Sequence, residues 1–516
     1  MDNASARFGA LDTIRRAHLD RARDCSALTA PWLLPPEGHS INDPLLVAWQ
    51  NLGSRCVHNL ASKLLLILFP PQIPFFRLEI SDYEMKLQAI QAIDPATGVS
   101  LLESFMEAFS RIERATLLLF SKNRLRNPLY QLLLNVIITG SAMWQDMEDG
   151  RYRVYRLDNW VCRRDPEGDL VETVTREYKY WEALDEETKT NLKALHGEEI
   201  GKGNKELLPL YTWGVLDPSS KTWKVTQSLM DYEITKESIE YSPDKFPFHC
   251  ASWIRICGED YGRGQVENHL GDLRTLESSS QIIQEGSAAA AKILFLVDPN
   301  GTVRATKIAK TPNGGFVEGK ADEVTALQVN KYYDFKGIQD LMQLKTQELS
   351  YAFLLNSAIQ RNAERVTAEE IRVMASELEQ ALGGTYALLA EELQMPIANS
   401  LLQDLNIQKF IPPVVKDKIQ VIVSTGIEGL GRTHELSQYN AFLQNTQLLP
   451  NASSWINTGV ALKRLATYHS VDITGIIKTP VEVEQEMTNQ QNMALAEKAT
   501  PEATKIVANT MANQPA

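Results

Sequence analysis

The chain has 516 residues, which at roughly 150 per domain amounts to about three or four structural units with ample material for a core. Hydrophobic residues make up 44% and charged residues 23%, the balance of an ordinary globular protein rather than a disordered or fibrous one. A formal net charge of -13 argues against a surface that grips nucleic acid all over, which needs clustered Lys and Arg, but allows a protein that lets nucleic acid pass without sticking.

The opening residues, MDNASARFGALDTIRRAHLDRARD, predict a polar amphipathic helix with no signal-peptide pattern. Apolar spacing in DPLLVAWQNLGSRCVHNLASKLLLILF predicts a second helix, stopped by Pro70 and Pro71. The run LLLILFPPQIPFF from Leu64 falls short of the roughly 20 residues a bilayer span needs and is broken by prolines, so a soluble protein is expected. LLESFMEAFSRIERATLLLF and PLYQLLLNVIITG predict two more helices. From about Arg151 to Ile256 the pattern changes to short alternating strands, interrupted by a helix at ALDEETKTNLKAL.

Residues 261–292 return to helix, with small residues at Ser278, Ser279, Ser280 and from Gly286 to Ala291. A crowded helix–helix contact is expected there, over a loosely specified exposed helix. The next stretch has strand-like runs punctuated by DPNG and PNGG turns, and helix resumes near Lys336 with Met342, Leu349 and Phe353 on one face. The chain thus runs helix out, small β module, helix back. A long helical pattern follows from Ile371 to Leu405, another covers about 431–470, and from Glu482 a Gln-, Asn-, Thr- and Ala-rich tail is expected to be disordered. The overall expectation is α+β, mainly helical.

Motifs for chemistry are weak. The five cysteines form no CxxC pair or disulfide framework, and KFPFHCASWIRIC alternates like a strand, so Cys250 and Cys257 are read as buried structural thiols rather than metal ligands with His249. GGFVEGKA follows a phosphate-binding loop from Gly314 to Lys320 but has Ala321 where Ser or Thr should hold magnesium. YGRGQVE carries Gly262 and Gly264 but has Glu267 in place of a third glycine, and reads as a turn into a helix. No catalytic residue, cofactor or metal site is expected.

The sharpest local signal is QRNAERVTAEEI, Gln360 to Ile371. Thr367 and Glu370 form a capping box and Val366 and Ile371 a hydrophobic staple, so a helix starts at Thr367 and leaves 356–366 as a loop carrying Arg361 and Arg365. Gly383, Gly384 and Pro396 interrupt the pattern behind it without shifting its register, which favours one bent helix over two.

LNSAIQRNAERVTAEEIRVMASELEQALGGTYALLAEELQMPIANSLL closely resembles the tunnel-loop and long-helix region of portal proteins, or head-to-tail connectors, of short-tailed podovirus-type bacteriophages. NLASKLLLILFP, YGRGQVENHLGDLRTLES and STGIEGLGR resemble other stretches of that family in the same order, and the likeness covers roughly residues 10–480. The resemblance implies a ring, usually dodecameric, at one capsid vertex, through which double-stranded DNA is packaged and later ejected. It implies a wing (1–255), a stem helix (256–292), a clip (293–335), a returning stem helix (336–355) and a tunnel loop (356–366). A long bent wing helix and strand (367–430), crown helices (431–481) and a disordered tail (482–516) follow.

Gln360, Arg361, Asn362 and Arg365 would face DNA without reading its sequence, and Arg304, Lys307 and Lys310 would form a docking surface on the clip. The implied partners are other copies of the chain, the terminase large subunit, the major capsid protein, the scaffolding protein and tail adaptors, with no membrane. The implied place is the virion, after synthesis in the host cytoplasm. The alternative is another ring- or tube-forming phage structural protein with no conduit role.

Overall fold

The computed structural model describes residues 3–40, 42–71, 74–80, 101–197, 200, 207–235, 238–312 except 291–293, 314–327, 332–355, 382–405, 421–424 and 432–447, with isolated residues between 459 and 489. The chain divides into two units, Met1–Phe76 with Ala115–Ile407 and Arg77–Arg114 with Gln408–Ala516.

In the first unit, helix α1 (Ala4–Ala27) is capped by the Asn3 side chain. Its Phe8 and Leu11 pack with Val161 and Val174 of a β-sheet. Arg15 on the same helix is buried, and its guanidinium donates to the carbonyls of Leu157 and Trp160 and to the Asp12 carboxylate. A buried charge survives only with such partners.

Helix α2 covers Leu52–Leu68, starting nine residues later than the apolar pattern from Asp43 suggested. Trp49 and Gln50 instead donate their backbone N–H groups to the Glu277 carboxylate (2.8 and 3.2 Å), which holds the preceding segment as a strap. Leu60, Leu64 and Leu68 of α2 are fully buried, and Phe69, Phe75 and Phe120 close one end of this core with ring centroids 5.0–5.9 Å apart.

Strand β1 (Arg77–Ile80) begins the second unit; helices α3 (Leu101–Lys122) and α4 (Arg126–Thr139) follow in sequence. Gly140 ends α4 in the left-handed region at φ +86°, and a Cβ there would sit 2.2 Å from the Gly262 carbonyl oxygen. Only glycine fits both demands. The YGRG turn is therefore stacked on the α4 terminus, where Trp253 N–H donates to Gly140 O (2.9 Å) and Gly262 N–H to Ser141 Oγ (2.8 Å).

Strands β2 (Ser141–Asp146), β3 (Tyr152–Tyr155), β4 (Trp160–Arg164) and β5 (Leu170–Tyr180) lead to helix α5 (Glu186–His196). Strands β6 (Leu207–Asp217), β7 (Thr222–Leu229), β8 (Tyr232–Glu233), β9 (Ile239–Tyr241) and β10 (Phe248–Ser252) complete the β region. One antiparallel sheet runs β4-β5-β6-β7-β8 with β9 also on β7, and a smaller one runs β10-β2-β3. Trp160, Trp223, Phe246 and Phe248 fill the core on which both sheets draw.

Helices α6 (Gln265–Asn268) and α7 (Leu270–Ala290) precede strand β11 (Leu294–Val297). Residues 305–310, inside the stretch of strand-like runs, form helix α8 (Ala305–Lys310) instead. The segment is exposed, and its Ala and Lys content favours helix where no sheet edge competes. Strand β12 (Val324–Leu327) pairs antiparallel with β11, and helix α9 (Tyr332–Ala352) returns antiparallel to α7. Gly286 of α7 lies against the Phe335 ring, so the close approach expected of the small residues is made there within the chain.

The single bent helix expected through Gly383 and Gly384 is corrected to a break. Gly383 has φ +54° and ψ -130°, outside the helical region, and α10 (Gly384–Leu389) starts anew after it. From there the path is continuous through one π-helical turn, Ala390–Gln394, into α11 (Met395–Asp404), whose second residue is Pro396. A π-turn absorbs the register change, and it lies just before Pro396, whose ring leaves one backbone hydrogen bond of the continuous path unmade.

In the second unit, β1 pairs antiparallel with β13 (Val421–Ser424), and Leu78 N–H donates to Glu113 of α3 (3.0 Å). Helix α12 (Arg432–Gln447) lies within the residues expected to form the crown. No described helix is long and apolar enough to cross a membrane.

Candidate functional site

The residues expected to face DNA, Gln360, Arg361, Asn362 and Arg365, and those expected to set the helix start, Val366, Thr367, Glu370 and Ile371, lie outside the described residues. Both flanks of that segment are described. On the near side, α9 ends in a reversal: Leu355 N–H donates to Ser350 O (2.7 Å), Leu354 N–H to Tyr351 O (3.1 Å), and Leu354 has φ +55°. Helices usually place glycine at such a left-handed position. Here leucine is held because its carbonyl accepts from Asn59 Nδ2 (3.2 Å) and Lys63 Nζ (2.5 Å) of α2. Phe353 beside it is fully buried, and its carbonyl also accepts from Asn59 (3.3 Å).

On the far side, buried Gln394 in the π-turn donates to the Leu68 carbonyl at the C-terminal end of α2 (2.6 Å), one of the carbonyls a helix leaves unpaired. Helix α2 therefore touches both flanks, at Asn59 and at Leu68, roughly 14 Å apart along its axis at 1.5 Å per residue.

A second anchor fixes the same π-turn. The Glu392 carboxylate accepts from Ser252 N–H (2.6 Å) and from the Arg255 guanidinium, with Arg164 at 3.9 Å. Arg164 is in turn bonded to the Gly168 and Asp260 carbonyls (2.7 and 3.2 Å). Burial is the first cause lowering the Arg255 pKa, and the Arg164 charge is the second. No sequence signal marked Glu392 or Gln394, since a π-turn has no compositional signature. Beside this anchor an open groove of about 780 Å³ is lined by Asp146, Tyr152, His249, Glu391 and Asp404 among others. Burial, and then the Asp146 charge, raise the Asp404 pKa.

The residues expected to form a docking surface on the clip are described. Arg304, Lys307 and Lys310 are all exposed; Arg304 is the extended residue just before α8, and Lys307 and Lys310, three apart on the helix, are neighbours on its surface. The loop before α8 is built around Glu323, whose carboxylate accepts from Thr302 N–H, Thr302 Oγ1 and Val303 N–H (2.8, 2.8 and 3.0 Å). The hydrogen bond from Thr302 leads the causes that lower its pKa. The stretch resembling a phosphate loop has no cradle: residues 316–319 are neither strand nor helix, Phe316 is fully exposed, and only a three-residue 3-10 turn at Ala321–Glu323 follows.

His249 and Cys250 are adjacent in β10, so their side chains point to opposite faces. His249 stacks on Trp144 (5.1 Å), whereas Cys250 packs against the core that holds Cys162. Cys257 is exposed, a correction to its expected burial, because β10 ends at Ser252 and no strand carries the alternation further.

A family model described as bacteriophage head to tail connecting protein matches residues 1–477. The portal protein of Enterobacteria phage T3 is 35% identical over 487 residues, covering 93% of this chain and 88% of that protein. The portal protein of Escherichia phage T7 is 32% identical over 538 residues, covering 100% and 98%. A solved structure of the virion of a native gene transfer agent particle aligns with 84% of this chain and 91% of its own, at 9% identity and a TM-score of 0.37, too distant to bear on the argument. The chain belongs to the bacteriophage head to tail connecting protein family.

Proposed function

We propose that this chain is a portal subunit: it forms a ring at one capsid vertex, conducts double-stranded DNA inward during packaging and outward during ejection, and joins head to tail. The carrying observation is the family match over residues 1–477, together with portal relatives aligned over nearly their whole lengths. Its role is structural rather than enzymatic.

In this reading residues 1–255 are the wing, 256–292 and 336–355 the stem, 293–335 the clip, 367–430 the long wing helix and strand, and 431–481 the crown. The tunnel loop, 356–366, brings Arg361 and Arg365 to the axis, while the chain's acidic balance keeps DNA from adhering along the channel. The feet of that loop on α2 support a fixed height for it. The exposed cations Arg304, Lys307 and Lys310 suit contact with the terminase motor and later with tail adaptors. The ring sits in the virion beside the major capsid and scaffolding proteins.

Electron microscopy of the purified protein tests the reading. Closed rings with an axial hole, most often of twelve subunits, are expected. A monodisperse monomer at micromolar concentration across several salt conditions contradicts it.

A further inference from the structure

Strands β4 and β10 belong to different sheets but turn matching faces to each other. Side chains alternate along a strand, so Trp160, Cys162 and Arg164 share one face of β4, and Phe248, Cys250 and Ser252 share one face of β10. The opposite faces have other partners: Val161 packs with Phe8 and Leu11 of α1, and His249 stacks on Trp144. Trp160, Cys162 and Phe248 belong to the core on which both sheets draw, and Cys250 packs against it. Arg164 Nη2 donates to Ser252 Oγ (3.3 Å), which fixes the two strands against each other one pleat beyond the cysteines. The thiols of Cys162 and Cys250 are in hydrogen-bond contact.

This pair differs chemically from the other buried thiols. Burial pushes Cys25 and Cys56 up to about 12, where a thiol is inert at neutral pH. For Cys250, the hydrogen bond from Cys162 is the first cause holding the pKa down, at about 6. Burial opposes that bond, and the charges of Arg164 and Arg255 reinforce it. Burial, followed by the hydrogen bond and charge of Cys250, pushes Cys162 the other way. One sulfur is thus held as a thiolate while its neighbour keeps a proton, which is the division between an attacked and a resolving cysteine. Access is divided in the same sense: Cys250 is partly exposed and Cys162 is buried behind it.

We infer that Cys250 and Cys162 form a redox pair, in which hydrogen peroxide oxidises Cys250 to a sulfenic acid and Cys162 then closes a disulfide between β4 and β10. Peroxide transfers one oxygen to the Cys250 sulfur, and its other oxygen leaves as hydroxide and takes up a proton to become water. The Cys162 sulfur then attacks the Cys250 sulfur, the S–O bond breaks, and the hydroxyl leaves with the Cys162 proton as a second water. The two thiols lose two electrons and peroxide gains them.

The bridge lies beside the anchor of the π-turn, because Ser252 N–H donates to Glu392 (2.6 Å) and Arg164 binds the Ser252 hydroxyl. It therefore braces the end of β10 on which that turn depends. In a chain made in a reducing cytosol and carried out of the cell in a particle, as proposed above, the thiol form belongs to assembly and the disulfide to the released particle. The chemistry of the pair does not depend on that reading.

The test uses the full, folded chain with Cys257→Ser, which removes the exposed thiol. After hydrogen peroxide, quenching, unfolding and alkylation, mass spectrometry should find the peptides of Cys162 and Cys250 joined by a bond that dithiothreitol cleaves. Cys25 and Cys56 should be alkylated. The oxidised protein should melt higher than the reduced one, and dithiothreitol should reverse the difference. Cys162→Ser should stop the reaction at a sulfenic acid that dimedone captures on Cys250, and Cys250→Ser should leave Cys162 unoxidised, with circular dichroism unchanged in both. Alkylation of both Cys162 and Cys250 after peroxide, a sulfinic acid on Cys250 with Cys162 free, or a bridge through Cys25 or Cys56 overturns the pair. A bridge that leaves the melting temperature unchanged overturns the bracing of β10. Ring formation plays no part in the readout, so the portal reading stands or falls separately.

Discussion

Replacing Glu392 with Gln removes a charge and almost nothing else. The side chain is 7% exposed and keeps its volume, so no cavity opens, and the amide oxygen can still accept from Ser252 N–H. What is lost is the anion between Arg164, 4% exposed, and Arg255, 28% exposed. Removing one partner of a buried ion pair costs about 3–5 kcal/mol. Water reaches part of Arg255, and Arg164 keeps its carbonyl partners, so the low end applies, ~3 kcal/mol. The loss is local to the π-turn and the end of β10, and therefore reads out in amide hydrogen exchange of residues 384–404. At 1.4 kcal/mol per decade, protection there should fall roughly 100-fold. Glu391→Gln, one residue away and facing the open groove, is the control and should change exchange less than about threefold. If Glu392→Gln also stays within threefold of the parent protein, the buried ion pair does not hold this helix, and the argument for a fixed far flank fails.

Further outcomes follow from other positions. His18 is buried against Tyr261, and burial lowers its pKa from 6.5 to about 4. Because the unfolded chain takes up that proton first, stability should fall as pH drops from 6.5 towards 4, and His18→Phe should flatten this part of a melting-temperature profile. Gly140→Ala combines a positive φ with a Cβ 2.2 Å from the Gly262 oxygen, so it should cost at least ~2 kcal/mol in denaturant unfolding, or abolish soluble expression. Charge reversal of Arg304, Lys307 and Lys310 together should leave rings intact, because none is buried, yet weaken binding of the packaging motor or tail in pull-down. Loss of rings would reassign α8 to assembly.

Where one face is apolar and the period regular, the elements could be read directly. Helices α1, α3 and α4, the strands of 151–256, helix α5 and the two helices around the β11–β12 hairpin all carry that signal. The reading failed where a distant group decided the local structure. The segment before α2 has helical periodicity, but Glu277, more than 200 residues away, captures its N–H groups. Gly383 looked like a tolerated interruption because the apolar register continues past it, whereas its backbone is left-handed. The candidate loop at 356–371 stood out in the sequence because capping boxes and paired arginines are local patterns, but it lies outside the described residues. The supports of its flanks did not stand out: Asn59, Lys63, Glu392 and Gln394 are ordinary polar residues whose partners come from elsewhere in the chain.

The central claim, that DNA passes through a ring of this chain, is tested most directly by DNase-protected DNA in heads assembled with and without it and supplied with motor and ATP. Genome-length protected DNA is expected only in heads that contain the chain, with shortened or poorly retained DNA when Arg361 and Arg365 are both replaced by Ala. Equal protection in heads that lack the chain would contradict the account.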